Sequence, residues 1–122
     1  MSTPKVDKVL RAKQKGWRRR YPRYRANFLL TANALREDGY LALQGRCSDV
    51  GPGGMGVVLT PPAQLGEVLA LEFTLSTHPT PLTLRSIVRY RKGFTHGVEF
   101  LGVTSEQQSI IEAYCATLET TE

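Results

Sequence analysis

The sequence predicts an all-β domain closed by one C-terminal helix, built as a small six-stranded antiparallel β-barrel. Three observations carry that expectation. From Tyr24 onward, short apolar runs alternate with polar residues and are broken by turn-forming residues, the texture of strands rather than helices. Six strands of this length cannot bury both faces as an open sheet, so closure is the economical solution. After Thr104 the apolar spacing lengthens from two to the helical period.

The elements follow in order. Arg25 to Ala34 reads as the first strand, and Glu37-Asp38-Gly39 is a hairpin signal. Tyr40 to Ser48 is the second strand, with Tyr40, Ala42 and Gln44 on one face and Leu41 and Leu43 on the other. A glycine-rich turn leads to a third strand over Met55 to Leu59, and Pro61-Pro62 ends it. Val68 to Leu75 is the fourth, presenting Leu69, Leu71, Phe73 and Leu75 to one side. His78-Pro79-Thr80-Pro81 reads as a loop before a long fifth strand, Leu82 to Arg91. Lys92-Gly93 turns the chain into the sixth, Thr95 to Leu101. Thr104 and Gln107 stand at capping-box spacing, and Ile110, Ile111, Tyr114 and Leu118 line one helical face. One helix packed on the sheet is therefore expected.

At 122 residues the chain is long enough for one domain with a genuine core. Residues 18–122 are expected to form the barrel domain. Residues 1–17 are polar and lysine-rich and read as a basic, flexible arm. The spacing of Val6, Val9, Leu10 and Lys13 leaves a short helix as the alternative. No apolar run approaches the roughly 20 residues that span a bilayer, and the polar start lacks the apolar core of a secretory signal. A cytoplasmic location without membrane insertion is the default expectation. Cys47 and Cys115 have no metal-type spacing and read as reduced thiols, with a disulfide as the unsupported alternative. His78 and His96 stand apart from any ligand cluster, so no metal and no cofactor are expected.

The net charge of +5 is unevenly placed. Ten of the sixteen basic residues lie within the first 25 positions against one acid, Asp7, so the remainder is mildly acidic. A basic arm on an acidic body points to a local anion site and not to a protein coated for nucleic acid.

Two motifs carry the chemistry. Arg18-Arg19-Arg20-Tyr21-Pro22-Arg23 contains an Arg-x-x-x-Arg spacing at Arg19 and Arg23. Guanidinium groups suit phosphate because each is a rigid fork of donors that never loses its charge. Pro22 biases Tyr21 towards extended geometry, which puts Arg19, Tyr21 and Arg23 on one side, the two arginines about 13 Å apart along a straight strand. The same cluster also reads as a solvated basic linker. Downstream runs Asp49-Val50-Gly51-Pro52-Gly53-Gly54-Met55-Gly56, a glycine turn with one carboxylate. Such a carboxylate can accept from the adjacent N1 and N2 donors of guanine, and glycines let a ligand approach the backbone. Alternatively, Asp49 caps its own turn. The glycines lack the lysine and βαβ context of a phosphate-binding loop.

The two motifs in this order, followed by Val88-Arg89-Tyr90 and Gly97-Val98-Glu99-Phe100, resemble the PilZ domain family over roughly Arg18 to Leu118. That family has RxxxR, then D/N-x-S-x-x-G, then a strand pair ending in Gly-Val-x-Phe and a closing helix. The resemblance implies a six-stranded barrel that binds cyclic di-GMP, a bacterial second messenger. It assigns Arg19 and Arg23 to RxxxR, Asp49 to the acidic position and Gly54 to the final glycine. At Gly51 the chain departs from the family serine. The lost hydroxyl is expected to cost one neutral hydrogen bond, about 0.5–1.5 kcal/mol, or several-fold to about tenfold in affinity. Ser48 is expected to face away from Asp49 and so not to replace it. Arg18, just before RxxxR, is associated in the family with an intercalated pair of ligand molecules, and Arg20 is a similar candidate. Tyr90 is placed to stack on a purine or simply to pack on the sheet; Trp17 is left out of the site.

These readings favour a cyclic di-GMP receptor that changes conformation on binding and signals to a protein partner of unknown identity. The alternative is a degenerate PilZ adaptor that binds no nucleotide and acts through protein contacts alone. A nucleic-acid binder using the arm ranks third. An enzyme is not expected, because no nucleophile–base pair or carboxylate dyad stands out.

Overall fold

The structure, a computed structural model, describes residues 22–118. Among them are six strands and one helix: β1 (Tyr24–Arg36), β2 (Gly39–Gly51), β3 (Gly54–Thr60), β4 (Val68–Leu75), β5 (His78–Lys92), β6 (Thr95–Leu101) and α1 (Ser105–Cys115). All pairings are antiparallel, and the order β1-β2-β3-β6-β5-β4 closes into a barrel. Closure is made by β1 on β4, from Thr31 opposite Glu72 to Ala34 opposite Leu69. It leaves no row of unpaired backbone groups at a sheet edge along these residues.

Alternation fills the interior. Leu30, Ala32 and Ala34 of β1, Leu43 and Cys47 of β2, and Leu69, Leu71, Phe73 and Leu75 of β4 are buried, as the period of two requires. The two ends are closed differently. At one end α1 packs Ile111, Tyr114 and Cys115 into the core. Phe28 stacks on Phe73 at 5.3 Å between ring centres, and Tyr114 meets Phe28 edge-on at 5.9 Å. The capping box is present: Thr104 Oγ1 accepts from the Gln107 N–H, and Gln107 Oε1 accepts from the Thr104 N–H, both at 3.1 Å.

At the other end the connection between β3 and β4 plugs the barrel with buried Ala63. His96 anchors that plug. Its Nε2 accepts from the Ala63 N–H at 3.0 Å, and its Nδ1 lies 2.8 Å from the Phe94 carbonyl oxygen. The isolated histidine of the sequence is therefore a hydrogen-bonded core residue. The described residues contain no cluster of His, Cys, Asp and Glu able to hold a metal ion. Arg36 closes the same connection with a two-pronged ion pair to Glu67, at 2.6 and 3.1 Å.

Two expectations are corrected. His78–Pro81 is not a loop but the start of β5; the turn is Ser76-Thr77, and His78 pairs with Leu75. Pairing of β5 with β6 starts only at Arg85, so the segment carrying Pro79 and Pro81 has a ladder on one side, with an irregularity opposite Thr74. A residue without an N–H is tolerated there. Likewise β5 runs through Lys92, and the turn to β6 is Gly93-Phe94. The first two strands are also longer than expected, reaching Arg36 and Gly51.

Candidate functional site

β2 ends, β3 begins and the segment before β1 enters at the same end of the barrel, the end closed by α1. That topology joins two motifs 26 residues apart. Arg23 Nη1 donates to Asp49 Oδ1 at 2.5 Å, with 5% of the arginine side chain and 21% of the aspartate exposed. A charge-assisted bond between two largely desolvated groups is stronger than a surface pair.

A second bond orients the carboxylate: the Gly56 N–H donates to the same Oδ1 at 3.0 Å. Gly56 must be glycine for this, since a Cβ there would lie 2.9–3.1 Å from the Asp49 carboxyl atoms. Asp49 therefore rests on the backbone of β3 and does not cap its own turn. Ser48 reaches the same residue, its hydroxyl donating to the Gly56 carbonyl at 3.3 Å. The expectation that Ser48 and Asp49 face opposite ways fails here. Between Cys47 and Asp49 the β2–β3 register shifts, with Cys47 opposite Val57 and Asp49 opposite Gly56. Ser48 is the extra residue of a β-bulge, which suspends strict alternation and turns both side chains towards β3.

The other predicted residues are distributed as follows. Gly51 ends β2 beneath the Pro22–Arg23 segment: a Cβ on it would meet the Pro22 carbonyl oxygen at 2.4 Å. Gly54 starts β3 opposite Glu99, and a Cβ there would meet the Val98 carbonyl oxygen at 2.2 Å, so this glycine is required by the approach of β6. Tyr90 is 45% exposed on β5. The pairings Asp49–Gly56, Gly56–Gly97 and Gly97–Tyr90 put it in one cross-strand row with Asp49, three strands away. At about 4.8 Å per strand that is about 14 Å. Arg18, Arg19, Arg20 and Trp17 lie outside the described residues, as does the predicted arm. Sequence reading missed Gly56 and Pro22 as parts of the site. Gly56 stood in the quoted glycine run, but only the bulge shows that it holds Asp49.

Charge at the site extends inward. Burial, then the Asp49 carboxylate, pushes the Cys47 thiol up to about 12, against a smaller opposing pull from Arg23. Burial and Glu112 raise Cys115 to about 11. Both cysteines are free and buried, so they are inert thiols under the site rather than nucleophiles in it. A surface depression of about 360 Å³, lined by residues including Leu29, Gln44, Glu72 and Pro81, contains none of the motif residues.

The arrangement offers a buried cation and a fixed acceptor in contact, beside an exposed aromatic further along the same row. Comparison with known proteins agrees in fold. The family model described as "PilZ domain" matches residues 18–117. The PilZ domain of YcgR from Escherichia coli, solved with c-di-GMP, superposes with a TM-score of 0.64 at 21% identity, covering 84% of this chain and 92% of that one. The PilZ domain of CeSA from a cellulose-synthesizing bacterium gives 0.62 at 16% identity over 78% and 95%. The Bacillus subtilis inhibitor of motility, MotI/DgrA, gives 0.62 at 20% over 84% and 51%. No curated protein shows significant sequence similarity to the chain.

Proposed function

Because the chain belongs to the PilZ domain family, we propose that it is a receptor module for cyclic di-GMP, acting by binding rather than catalysis. One observation carries the reading: Arg23 and Asp49, one from each motif, meet at 2.5 Å at the mouth where both motifs enter the barrel. Arg23 supplies a guanidinium for a phosphate, with Arg19 as its partner in the spacing. Asp49, held by the Gly56 N–H, supplies an acceptor for a guanine edge. Gly51 and Gly54 line the turn, Tyr90 offers a stacking face, and Arg18 and Arg20 are the candidates for holding a second, intercalated ligand molecule. Binding would order the basic arm against the barrel and present a changed surface to a protein partner in the cytoplasm. No helix among the described residues is long and apolar enough to cross a membrane.

Isothermal titration with cyclic di-GMP tests this directly. Saturable binding by the wild-type protein is expected, with Arg23→Ala weaker by tenfold to about a hundredfold, since a charged hydrogen bond contributes about 1.5–3 kcal/mol. The heat-derived stoichiometry separates one bound molecule from a pair. A second reading, a PilZ adaptor without nucleotide, is favoured by Gly51 standing where the family has serine. Absence of saturable binding at tens of micromolar ligand would select it.

A further inference from the structure

The contact between Pro22 and Gly51 is used by neither motif reading. The Pro22 carbonyl oxygen lies so close over the end of β2 that a Cβ on Gly51 would stand 2.4 Å from it and 3.4 Å from Arg23 Cδ. The first distance is one that real Cβ atoms essentially never show, and the obstacle is main chain, which no rotamer change can clear. Gly51 itself is buried. One residue further on, the same segment delivers the Arg23 guanidinium to Asp49.

We propose that Gly51 is a positioning residue: by carrying no side chain it seats the Pro22 carbonyl and so holds Arg23 on Asp49 before any ligand arrives. From the sequence alone, Gly51 reads as the loss of a hydroxyl and hence of one contact. The geometry reverses the sign. Any side chain at this position, serine included, lifts the Pro22–Arg23 segment and separates the two motifs. The glycine therefore exchanges one neutral hydrogen bond for a half-site assembled in advance. The consequence for affinity rests on the receptor reading above. An arginine already in place need not be ordered on binding, and ordering a side chain together with its backbone costs enough to change affinity on the order of tenfold.

The test has a ligand-free arm and a ligand arm, applied to wild type, Gly51→Ala and Gly51→Ser. In ligand-free protein, trypsin cleavage after Arg23 is followed by mass spectrometry, with far-UV circular dichroism checking that the barrel is intact. Cleavage there is expected to rise on the order of tenfold or more in both variants. Unchanged cleavage in folded variants overturns the proposal. Both variants are also expected to bind cyclic di-GMP on the order of tenfold more weakly than wild type. A Gly51→Ser protein that binds more tightly overturns the claim on affinity, because the hydroxyl would then outweigh the seat. If wild type binds no nucleotide, the receptor reading fails while the cleavage arm still decides the role of Gly51. Should the variants not fold, nitrogen-15 NMR of the wild-type guanidinium groups decides instead. A slowly exchanging Arg23 signal, assigned by its loss in Arg23→Lys, supports the seat, and a rapidly exchanging one overturns it.

Discussion

A double-mutant cycle on Arg23 and Asp49 measures the contact on which the site is built. Arg23→Ala, Asp49→Ala and the double variant are compared with wild type by urea unfolding, followed by far-UV circular dichroism. Exposed ion pairs couple by about 0.2–1 kcal/mol, whereas removing one partner of a fully buried pair costs about 3–5 kcal/mol. This pair lies between those limits. The arginine is 5% exposed, but about a fifth of the aspartate side chain, 21%, meets water. The charge-assisted bond then sets the scale, about 1.5–3 kcal/mol, and the expected coupling is about 2 kcal/mol. Asp49→Ala also strands the Gly56 N–H that the carboxylate accepts. It should therefore be the more damaging single change, lowering Tm by about 10 °C for a domain of this size. A coupling below about 0.5 kcal/mol would mean that the pair behaves as a surface contact, and the claim that the fold pre-assembles the two motifs would fail.

Three further outcomes follow from the core beneath the site. Cys47 and Cys115 have folded values raised to about 12 and about 11 from an ordinary 9.0, so unfolding releases protons once pH exceeds about 9. Stability should fall above that pH by up to about 1.4 kcal/mol per pH unit for each thiol, and Cys47→Ala should flatten the fall in urea titrations. Glu67 behaves in the opposite sense. Burial pushes its carboxyl up, but the Arg36 hydrogen bonds, the Gln64 N–H and the Arg36 charge together hold it below the usual range. Its contribution is present above about pH 4.5 and is lost as pH falls through the folded value, so Glu67→Gln should shallow the acid limb of the stability curve. Gly54→Ala would put a Cβ 2.2 Å from the Val98 carbonyl oxygen. It should destabilise by at least the 1–3 kcal/mol typical of overpacking; calorimetry showing an unshifted Tm would contradict the tight β3–β6 approach.

The barrel is legible in the sequence wherever alternation alone decides a residue's face. Leu69, Leu71, Phe73 and Leu75 are read and found on the inner side of β4, and the capping box at Thr104 starts α1 where its spacing says. Legibility ends where the neighbouring strand decides. Pro79 and Pro81 look like breakers in one dimension, yet they are strand residues because β6 does not reach that part of β5. His96 looks idle until the fold brings the Ala63 N–H to its ring, a contact between residues 33 apart that no local pattern encodes.

The site follows the same division, with a sharper lesson in its glycines. Motif matching identifies Asp49 and Arg23, because residue type and order suffice to mark them. It treats the glycines as permissive turn residues, whereas Gly51, Gly54 and Gly56 are each fixed by a different neighbour: Pro22 O, Val98 O and the Asp49 carboxylate. Each absent Cβ is a packing requirement set by a second piece of chain, so its meaning appears only once that piece is in place. The bulge at Ser48 compounds this, since it reverses the parity by which a strand reader assigns faces. A departure from a family pattern thus has no sign of its own. At Gly51 the missing hydroxyl and the seated Pro22 carbonyl act in opposite directions, and contact geometry decides between them: a neutral hydrogen bond is a modest gain, whereas a Cβ facing main chain at 2.4 Å admits no local remedy.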